Sequence, residues 1–508
     1  MRPNFLFIQC DQLAARALRA YGNQTVIAPN IDKLADSAVI FENAYCNLPM
    51  CGPSRASMMS GRLPFSIDMY DNASEFHADI PTFAHYLRGF DYRAQLAGKM
   101  HFVGADQLHG FDRRLTTEIY PANFAWTVDW SKGREYRPTN LTMAPVLASG
   151  PAIRTMQMDY DDEVAFAGVQ AIYDLAREDD GQPFFLGISF TSPHSPFVIG
   201  QQYWDRYDHD AIEEPAVAPL ELDEMDHLSR NLHFCQCRDK YSMTVEDRRR
   251  ARHGYYGMIS FIDDHIGKIL STLEQCGLSD NTIVILTADH GEMMGERGMW
   301  FKQHFFEWAS QIPFIVSAPW RFKPARVSQN ISLLDLAPTL IDLAEPGFNE
   351  FATPLDGTSL ADALEGNVSG LPDTVFSEFA ADGSTGPSRM VRKGSYKYMD
   401  LEGIDTRLYN VEKDPQEMND LSAVADAADT LEELSTLAEG LWDKESMAEK
   451  IQTSQKQRLA IHAITGGDHP WVYEVRHDDA NRYVRNAGAA DTKAKARFPR
   501  FKEPQPDL

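Results

Sequence analysis

The sequence predicts an α/β protein: a doubly wound sheet flanked by helices, with a smaller α+β part toward the C-terminus. Three observations carry this. Short, continuous apolar runs recur at Phe5-Leu-Phe-Ile, Phe184-Phe-Leu-Gly-Ile-Ser-Phe, Thr282-Ile-Val-Ile-Leu-Thr and Ile312-Pro-Phe-Ile-Val-Ser. A parallel sheet buries runs of this kind on both faces. Amphipathic helical patterns lie between them, as at 162–176 and 255–275, and such strand–helix alternation belongs to a doubly wound sheet. Past about Leu371 the period changes to alternation.

Taken in order, the first run ends at Asp11, which places that carboxylate at the carboxyl end of a strand, where open α/β sheets hold their ligands. The second run ends in Thr191-Ser-Pro-His194 and the third in Ala288-Asp289-His290-Gly291. These elements make up residues 1–370. Residues 371–460 read as a small antiparallel sheet plus a helix. Met390-Val-Arg-Lys-Gly-Ser-Tyr-Lys-Tyr-Met and Arg407-Leu-Tyr-Asn-Val are taken as two strands around a turn, and 426–460 as helical. Residues 461–508 form an irregular, partly basic extension. No internal repeat or low-complexity tract interrupts the chain.

A length of 508 residues allows one large domain with a smaller companion. The formal net charge of −26 excludes a broad basic surface and with it a nucleic-acid binder. The same charge repels anions at long range, so an anionic substrate needs a locally positive site. Six cysteines are too few and too irregular for a disulfide framework, and Cys235-Gln-Cys237 lacks a second pair to complete a zinc site. The N-terminal apolar run is too short for a signal peptide, and no stretch approaches the ~20 apolar residues of a membrane span. A reduced, cytoplasmic protein without a membrane segment is the expectation.

Several segments carry chemistry. In Cys51-Gly52-Pro53-Ser54-Arg55 a cysteine precedes a turn dipeptide and an arginine opening a helix. That order sets the sulfur at a helix N-terminus beside a fixed cation, both of which favour an anion. The structural alternative is a buried cysteine ahead of a helix capped by Ser54. Asp11-Gln12 and Asp289-His290-Gly291-Glu292 offer oxygen and nitrogen donors to a divalent cation; taken singly they are strand-end caps and turns. Lys99 and His101 are two residues apart, which on an extended segment directs both side chains one way. His194 lies in Pro193-His194-Ser195-Pro196, and Lys302 follows Phe301.

In order and context these segments resemble the sulfatases of the alkaline phosphatase superfamily, from Asn4 to Asp414-Pro-Gln-Glu-Met-Asn-Asp-Leu421. Cys-x-Pro-Ser-Arg is that family's formylglycine signature. Met69-Tyr-Asp-Asn-Ala, the stretch from Gly98-Lys-Met-His to His109-Gly-Phe, Ile119-Tyr-Pro-Ala and Gly295-Glu-Arg-Gly-Met-Trp-Phe-Lys-Gln are similar to its choline sulfatases. The resemblance implies an alkaline-phosphatase-like sheet and a Cys51 oxidised to formylglycine by a separate maturation enzyme. The hydrated aldehyde attacks sulfur with one hydroxyl, and the other expels sulfate. It implies a divalent cation on Asp11, Gln12, Asp289, His290 and the modified Cys51. Ca²⁺ comes first, then Mn²⁺, and Mg²⁺ is also compatible. It further implies Arg55 at the nucleophile, Lys99 and Lys302 on sulfate oxygens, His101 as base in the elimination and His194 as acid to the leaving group.

For the leaving-group pocket the resemblance points to Asn72, Trp126 and Asp382, an aromatic and acidic surround suited to a quaternary ammonium. Residues 131–155 lack the pocket histidine of choline sulfatases and carry Arg134 and Arg137 instead; Trp126 and Trp130 suit an aryl ring equally. Aryl sulfates, with choline sulfate a less efficient substrate, are therefore expected. The extension with Trp471, Tyr483, Arg485 and 493–500 implies a homo-oligomer, dimer or tetramer. A phosphonate monoester or phosphodiester hydrolase shares the same site chemistry, and a non-catalytic binder of sulfated ligands is the reading from another class.

Overall fold

The computed structural model describes residues 2–178 and 180–465. The apolar runs become the centre of one large sheet. Its strands are β1 (Asn4–Cys10), β2 (Val39–Tyr45), β3 (Arg93–Gly98) and β4 (Arg113–Arg114). After a separate pair, β5 (Gly150–Ala152) and β7 (Val198–Gly200), come β6 (Phe184–Phe190), β8 (Thr282–Ala288), β9 (Gln311–Ile312), β10 (Phe314–Ser317) and β11 (Ala325–Ser332). The order is β11-β2-β10-β8-β1-β6-β3-β4, with β9 on β2. β8, β1, β6 and β3 are parallel neighbours. β10 runs antiparallel to both β8 and β2, so β2 shares the direction of the others.

Every residue of β1, β6 and β8 is buried, which is why these strands read as unbroken apolar runs rather than alternating ones. The run at 312–317 is the exception, because Pro313 cannot donate to a ladder and divides it into β9 and β10. Helix Met156–Glu178 packs on β6 and β3 and against helix Val245–Gln275. Helices Cys51–Ser60, Phe83–Gly89 and Leu336–Ala344 pack together as another layer.

The alternating C-terminal part is a four-stranded meander: β12 (Thr374–Phe379), β13 (Ser388–Lys393), β14 (Tyr396–Leu401) and β15 (Asp405–Asn410). The segment 390–399, expected as one strand, is itself a hairpin turning at Gly394-Ser395, with Met390 opposite Met399 and Val391 opposite Tyr398. Its two faces feed different cores. Met390 and Met399 join Phe305, Phe306 and Phe379, whereas Val391, Tyr398 and Leu408 pack on Leu434 and Ala438. The helical stretch from 426 resolves into Ala428–Glu439 and Lys444–Ile464, the second capped by Asp443. Residues 466–508, with most of the proposed oligomer-contacting extension, lie outside the described residues. No described helix is long and apolar enough to cross a membrane.

Candidate active site

Because β2, β8, β1, β6 and β3 share one direction, the segments after their carboxyl ends meet along one edge of the sheet. Asp11 follows β1, Asp289 and His290 follow β8, Lys99 follows β3, and the 191–196 loop follows β6. The backbone ties them further: Asp11 N–H donates to Phe190 O at 3.1 Å and Lys99 N–H to Ser189 O at 3.0 Å. Gly98 permits this approach. It sits at φ +101°, and a Cβ there would lie 1.9 Å from Ser189 O.

Cys51 opens the buried helix Cys51–Ser60 and is 1% exposed. Its Sγ lies 3.2 Å from His290 Nε2 and 3.8 Å from Asp11 Oδ1. Burial opposes ionisation of this thiol, yet Lys302, Lys99 and His290 together hold its pKa well below the ordinary value. Ser54 does not cap the helix. Its hydroxyl donates to the Asp289 carbonyl at 2.5 Å, and the N-cap residue Met50 makes no side-chain cap bond. The helix start is thereby locked to the end of β8.

Arg55 is fully buried and ties the strand ends together. Its Nε donates to Asp289 Oδ2 at 2.8 Å; Nη1 donates to Gln9 Oε1, Lys99 O and Ser189 Oγ at 3.0, 2.6 and 2.8 Å. Its Nη2 lies 3.7 Å from Asp11 Oδ2. Arg55 thus faces the carboxylates beside Cys51. Despite burial, Arg55 and His290 hold the Asp289 carboxyl down to about 2.

Ligand atoms of Asp11, Cys51, Asp289 and His290 all lie within 4.8 Å of one another. His290 Nδ1 donates to Gly291 O at 3.0 Å, which leaves Nε2 facing this group. Two carboxylates and an imidazole, buried together and charge-balanced by Arg55, fit a hard or borderline divalent cation. Gln12 stands beside them. Its backbone N–H donates to Asp289 Oδ1 at 3.0 Å, its side-chain oxygen accepts from Lys302 Nζ at 2.6 Å, and its amide donates to Glu292.

Lys99 Nζ pairs with Asp11 and lies 4.2 Å from the centre of the Tyr120 ring. Lys302 Nζ lies 2.8 Å from His194 Nε2, and His194 Nδ1 lies 2.7 Å from Ser195 O. The ammonium donates to Nε2 and Nδ1–H donates to the carbonyl, an arrangement that needs neutral His194. Burial first and Lys302 second lower its pKa, consistent with that state. His101 does not continue an extended segment beside Lys99, for its φ is +57°. Its ring stacks on Tyr120 at 5.0 Å and meets the edge of Trp126 at 5.7 Å, and its buried imidazole bears on the Cys51 thiol, helping to lower the thiol's pKa.

Asn72 accepts from Gly52 N–H at 2.9 Å, which seats it beside the Cys51 turn. Asp382 is buried, with Oδ1 unpaired among the described residues, and burial followed by the Asp71 charge raises its pKa to about 6. Trp130 departs from expectation: it is buried and donates from Nε1 to Ser384 Oγ, so it offers no open aryl platform. Arg134 and Arg137 are engaged elsewhere, on Phe234 and Asn231 and on Cys237 and Leu141.

Sequence reasoning passed over Glu118 and Asp161 and gave no role of their own to Tyr120 and Glu292. Glu118 accepts from the N–H groups of Met100 and His101 at 2.9 and 2.8 Å and pairs with Arg114 at 2.7 Å. Asp161 accepts from Thr191 N–H and Ser192 N–H at 2.7 and 2.9 Å. Glu292 and Tyr120 stand inside segments already singled out; a carboxylate 17 or 30 residues from its partner, as with Glu118 and Asp161, leaves no local trace.

Comparison with known proteins agrees with this geometry. The profile of the sulfatase family matches residues 3–346, and that of the N-sulphoglucosamine sulphohydrolase C-terminal region matches 295–444. The choline-sulfatase of Rhizobium meliloti (strain 1021) is 37% identical, over 98% of this chain and 99% of its own length. An arylsulfatase of Clostridium perfringens is 27% identical over 83% of this chain and 90% of its own. Among solved structures, the phosphonate monoester hydrolase of Agrobacterium radiobacter superposes with a TM-score of 0.69 at 25% identity, covering 90% of this chain and 96% of that one. The chain belongs to the sulfatase family and is a sulfuric ester hydrolase.

Proposed function

We propose that this enzyme hydrolyses small sulfate monoesters, aryl sulfates readily and choline sulfate less efficiently, with Cys51 acting after its oxidation to formylglycine. The supporting observation is the meeting of Cys51, two carboxylates, His290, two lysines and His194 at the ends of parallel strands.

Asp11, Asp289, His290 and Gln12 would hold the divalent cation, Ca²⁺ in the first instance. Bound there, it supplies positive charge to the sulfate oxygens and favours the ionised nucleophile. Formylglycine supplies a hydrated aldehyde whose hydroxyl can attack sulfur, with a second hydroxyl in reserve for release. Arg55 fixes the Asp289 carboxylate, so that the ligand set is ordered before substrate arrives. Lys99 and Lys302 supply the local positive field that a chain of net charge −26 lacks, and bind the sulfate oxygens as point charges. Proton traffic divides between two histidines. His101, which bears on the Cys51 thiol, takes the proton during release of sulfate. His194 takes a proton at Nε2 from the Lys302 ammonium and hands it on to the departing oxygen. Asn72, Trp126 and Asp382 line the leaving-group side, and the 461–508 extension supports a homo-oligomer on sequence resemblance.

The phosphonate reading has one support, the likeness to the Agrobacterium enzyme. The discriminating experiment uses protein co-expressed with a formylglycine-generating enzyme, with the Cys51 tryptic peptide checked for aldehyde by mass spectrometry. kcat/KM for 4-nitrophenyl sulfate should exceed that for the matched phenylphosphonate ester. The reverse order would transfer the assignment, and no turnover of either ester would leave the non-catalytic binder.

A further inference from the structure

Besides Ile451, the helix Lys444–Ile464 buries two polar side chains, Gln455 and Arg458, at 3% and 5% exposure. Arg458 grips Asp71 with both ends of its guanidinium, Nη1 to Oδ1 at 2.5 Å and Nη2 to Oδ2 at 3.0 Å. Such a fork-to-carboxylate pair fixes orientation as well as distance. The same carboxylate accepts from Ala73 N–H at 2.9 Å and from Val128 N–H at 3.3 Å, and Arg458 Nη1 lies 3.4 Å from Thr127 Oγ1. Gln455 Oε1 accepts from Trp130 N–H at 3.2 Å, and the Trp130 indole donates to Ser384 Oγ at 3.2 Å.

Each of these anchors adjoins a proposed pocket residue. Asp71 precedes Asn72, Thr127 follows Trp126, and Ser384 is two residues past Asp382. The hydrogen bonds of Arg458 and Gln455 run to Asp71, Thr127 and Trp130, beside the proposed walls. We infer that Arg458, through its buried pair with Asp71, is a positioning residue that sets leaving-group selectivity by holding the Asn72 and Trp126 walls at a fixed separation. The inference rests on the assignment of those walls made above. Charge supports it: Asp71 is one of the groups acting on Asp382, and Arg458 is the cation that compensates Asp71. Loss of that cation leaves a buried, uncompensated carboxylate beside the pocket.

The test uses the matured full-length enzyme and the variants R458Q, R458K, D71N and W126A, assayed with choline sulfate and 4-nitrophenyl sulfate, with inorganic sulfate as inhibitor. Sulfate reads the anion site alone. In R458Q and D71N, kcat/KM for choline sulfate should fall about tenfold or more relative to 4-nitrophenyl sulfate, as expected when reacting groups are misplaced by a fraction of an ångström. The inhibition constant for sulfate should stay within about twofold, since the anion site is not displaced, and R458K, which keeps the charge, should recover part of the ratio. An unchanged substrate ratio in R458Q or, where that variant fails to fold, in D71N overturns the inference. So does a sulfate inhibition constant that rises in step with the loss. W126A separates the two levels. A ratio moved by W126A but not by R458Q or D71N refutes only the clamp. A ratio that W126A leaves alone refutes the wall assignment and the clamp built on it, and a matured wild type without sulfatase activity refutes both together with the function.

Discussion

At the scale of single residues, the pair Lys302–His194 states a chemical requirement. His194 is held by Ser195 O on one side and by Lys302 on the other, so one proton lies on the line between two bases next to the proposed departing oxygen. Replacing His194 with alanine should therefore slow esters of poor alkyl leaving groups far more than 4-nitrophenyl sulfate, against the typical 10²–10⁴-fold worth of acid–base catalysis. Equal losses on both substrates, measured as kcat/KM, would remove His194 from the acid role. Cys51→Ser gives a second expectation. Serine keeps the buried position and offers one hydroxyl only, so sulfate transferred to it has no neighbour to expel it. The variant should fold as the parent does and show no sustained turnover; a wild-type-like steady state would refute the diol chemistry. Of the residues named from sequence, those directly after strands were legible because an apolar run that stops at a polar side chain announces a sheet edge. The alternative of a Ser54 cap does not hold, and sequence could not exclude it because the partner of Ser54, the Asp289 carbonyl, is 235 residues away.

At the scale of elements, the 191–196 loop owes its shape to helix Met156–Glu178. Asp161 takes two loop N–H groups and the Thr191 hydroxyl, and Gln157, one turn earlier, donates to His194 O at 2.7 Å. Asn at position 161 keeps one acceptor oxygen and turns the other into a donor, so it cannot satisfy Ser192 N–H. D161N should lower kcat for poor-leaving-group esters by about tenfold with KM little altered, the pattern of a misplaced acid. A fall in kcat/KM equal for good and poor leaving groups would assign Asp161 to folding alone. The central strands, the two long helices and the change of pattern near 371 were readable, because burial on both faces, a 3.6-residue period and alternation are local signals. The hairpin inside 390–399 was legible but passed over: Gly394-Ser395 is a two-residue turn with Gly394 at φ +51°, the kind that joins hairpin strands, and the alternation on either side of it was read as one strand. No local signal marked Arg458, one of several basic residues on a helix of mixed polarity.

At the scale of the molecule, the extension beyond helix Lys444–Ile464 and the acidic total charge bear on assembly. A chain ending at Thr465 retains Arg458, Gln455 and their contacts, and so should keep its fold and its activity on 4-nitrophenyl sulfate. If the extension bridges subunits, that truncation should lower the mass seen by light scattering from a dimer or tetramer toward a monomer. A full-length protein that is already monomeric would refute the oligomer. Salt should also matter little to stability at the site, because the charges around Asp289 and Arg55 are buried and screened weakly.

The seclusion of Cys51 has a consequence for the order of events in the life of the protein. A thiol 1% exposed, at the head of a helix whose residues are all buried, cannot enter the cleft of another enzyme while the chain is closed. If Cys51 is converted to the aldehyde as proposed, installation is a race with folding, run on the nascent or unfolded chain before the segment from Pro49 to Arg62 closes. A completed molecule that missed its oxidation stays a thiol. Treating folded, unmodified protein with the maturation enzyme should leave the Cys51 peptide at its thiol mass, whereas the same treatment during refolding should convert it.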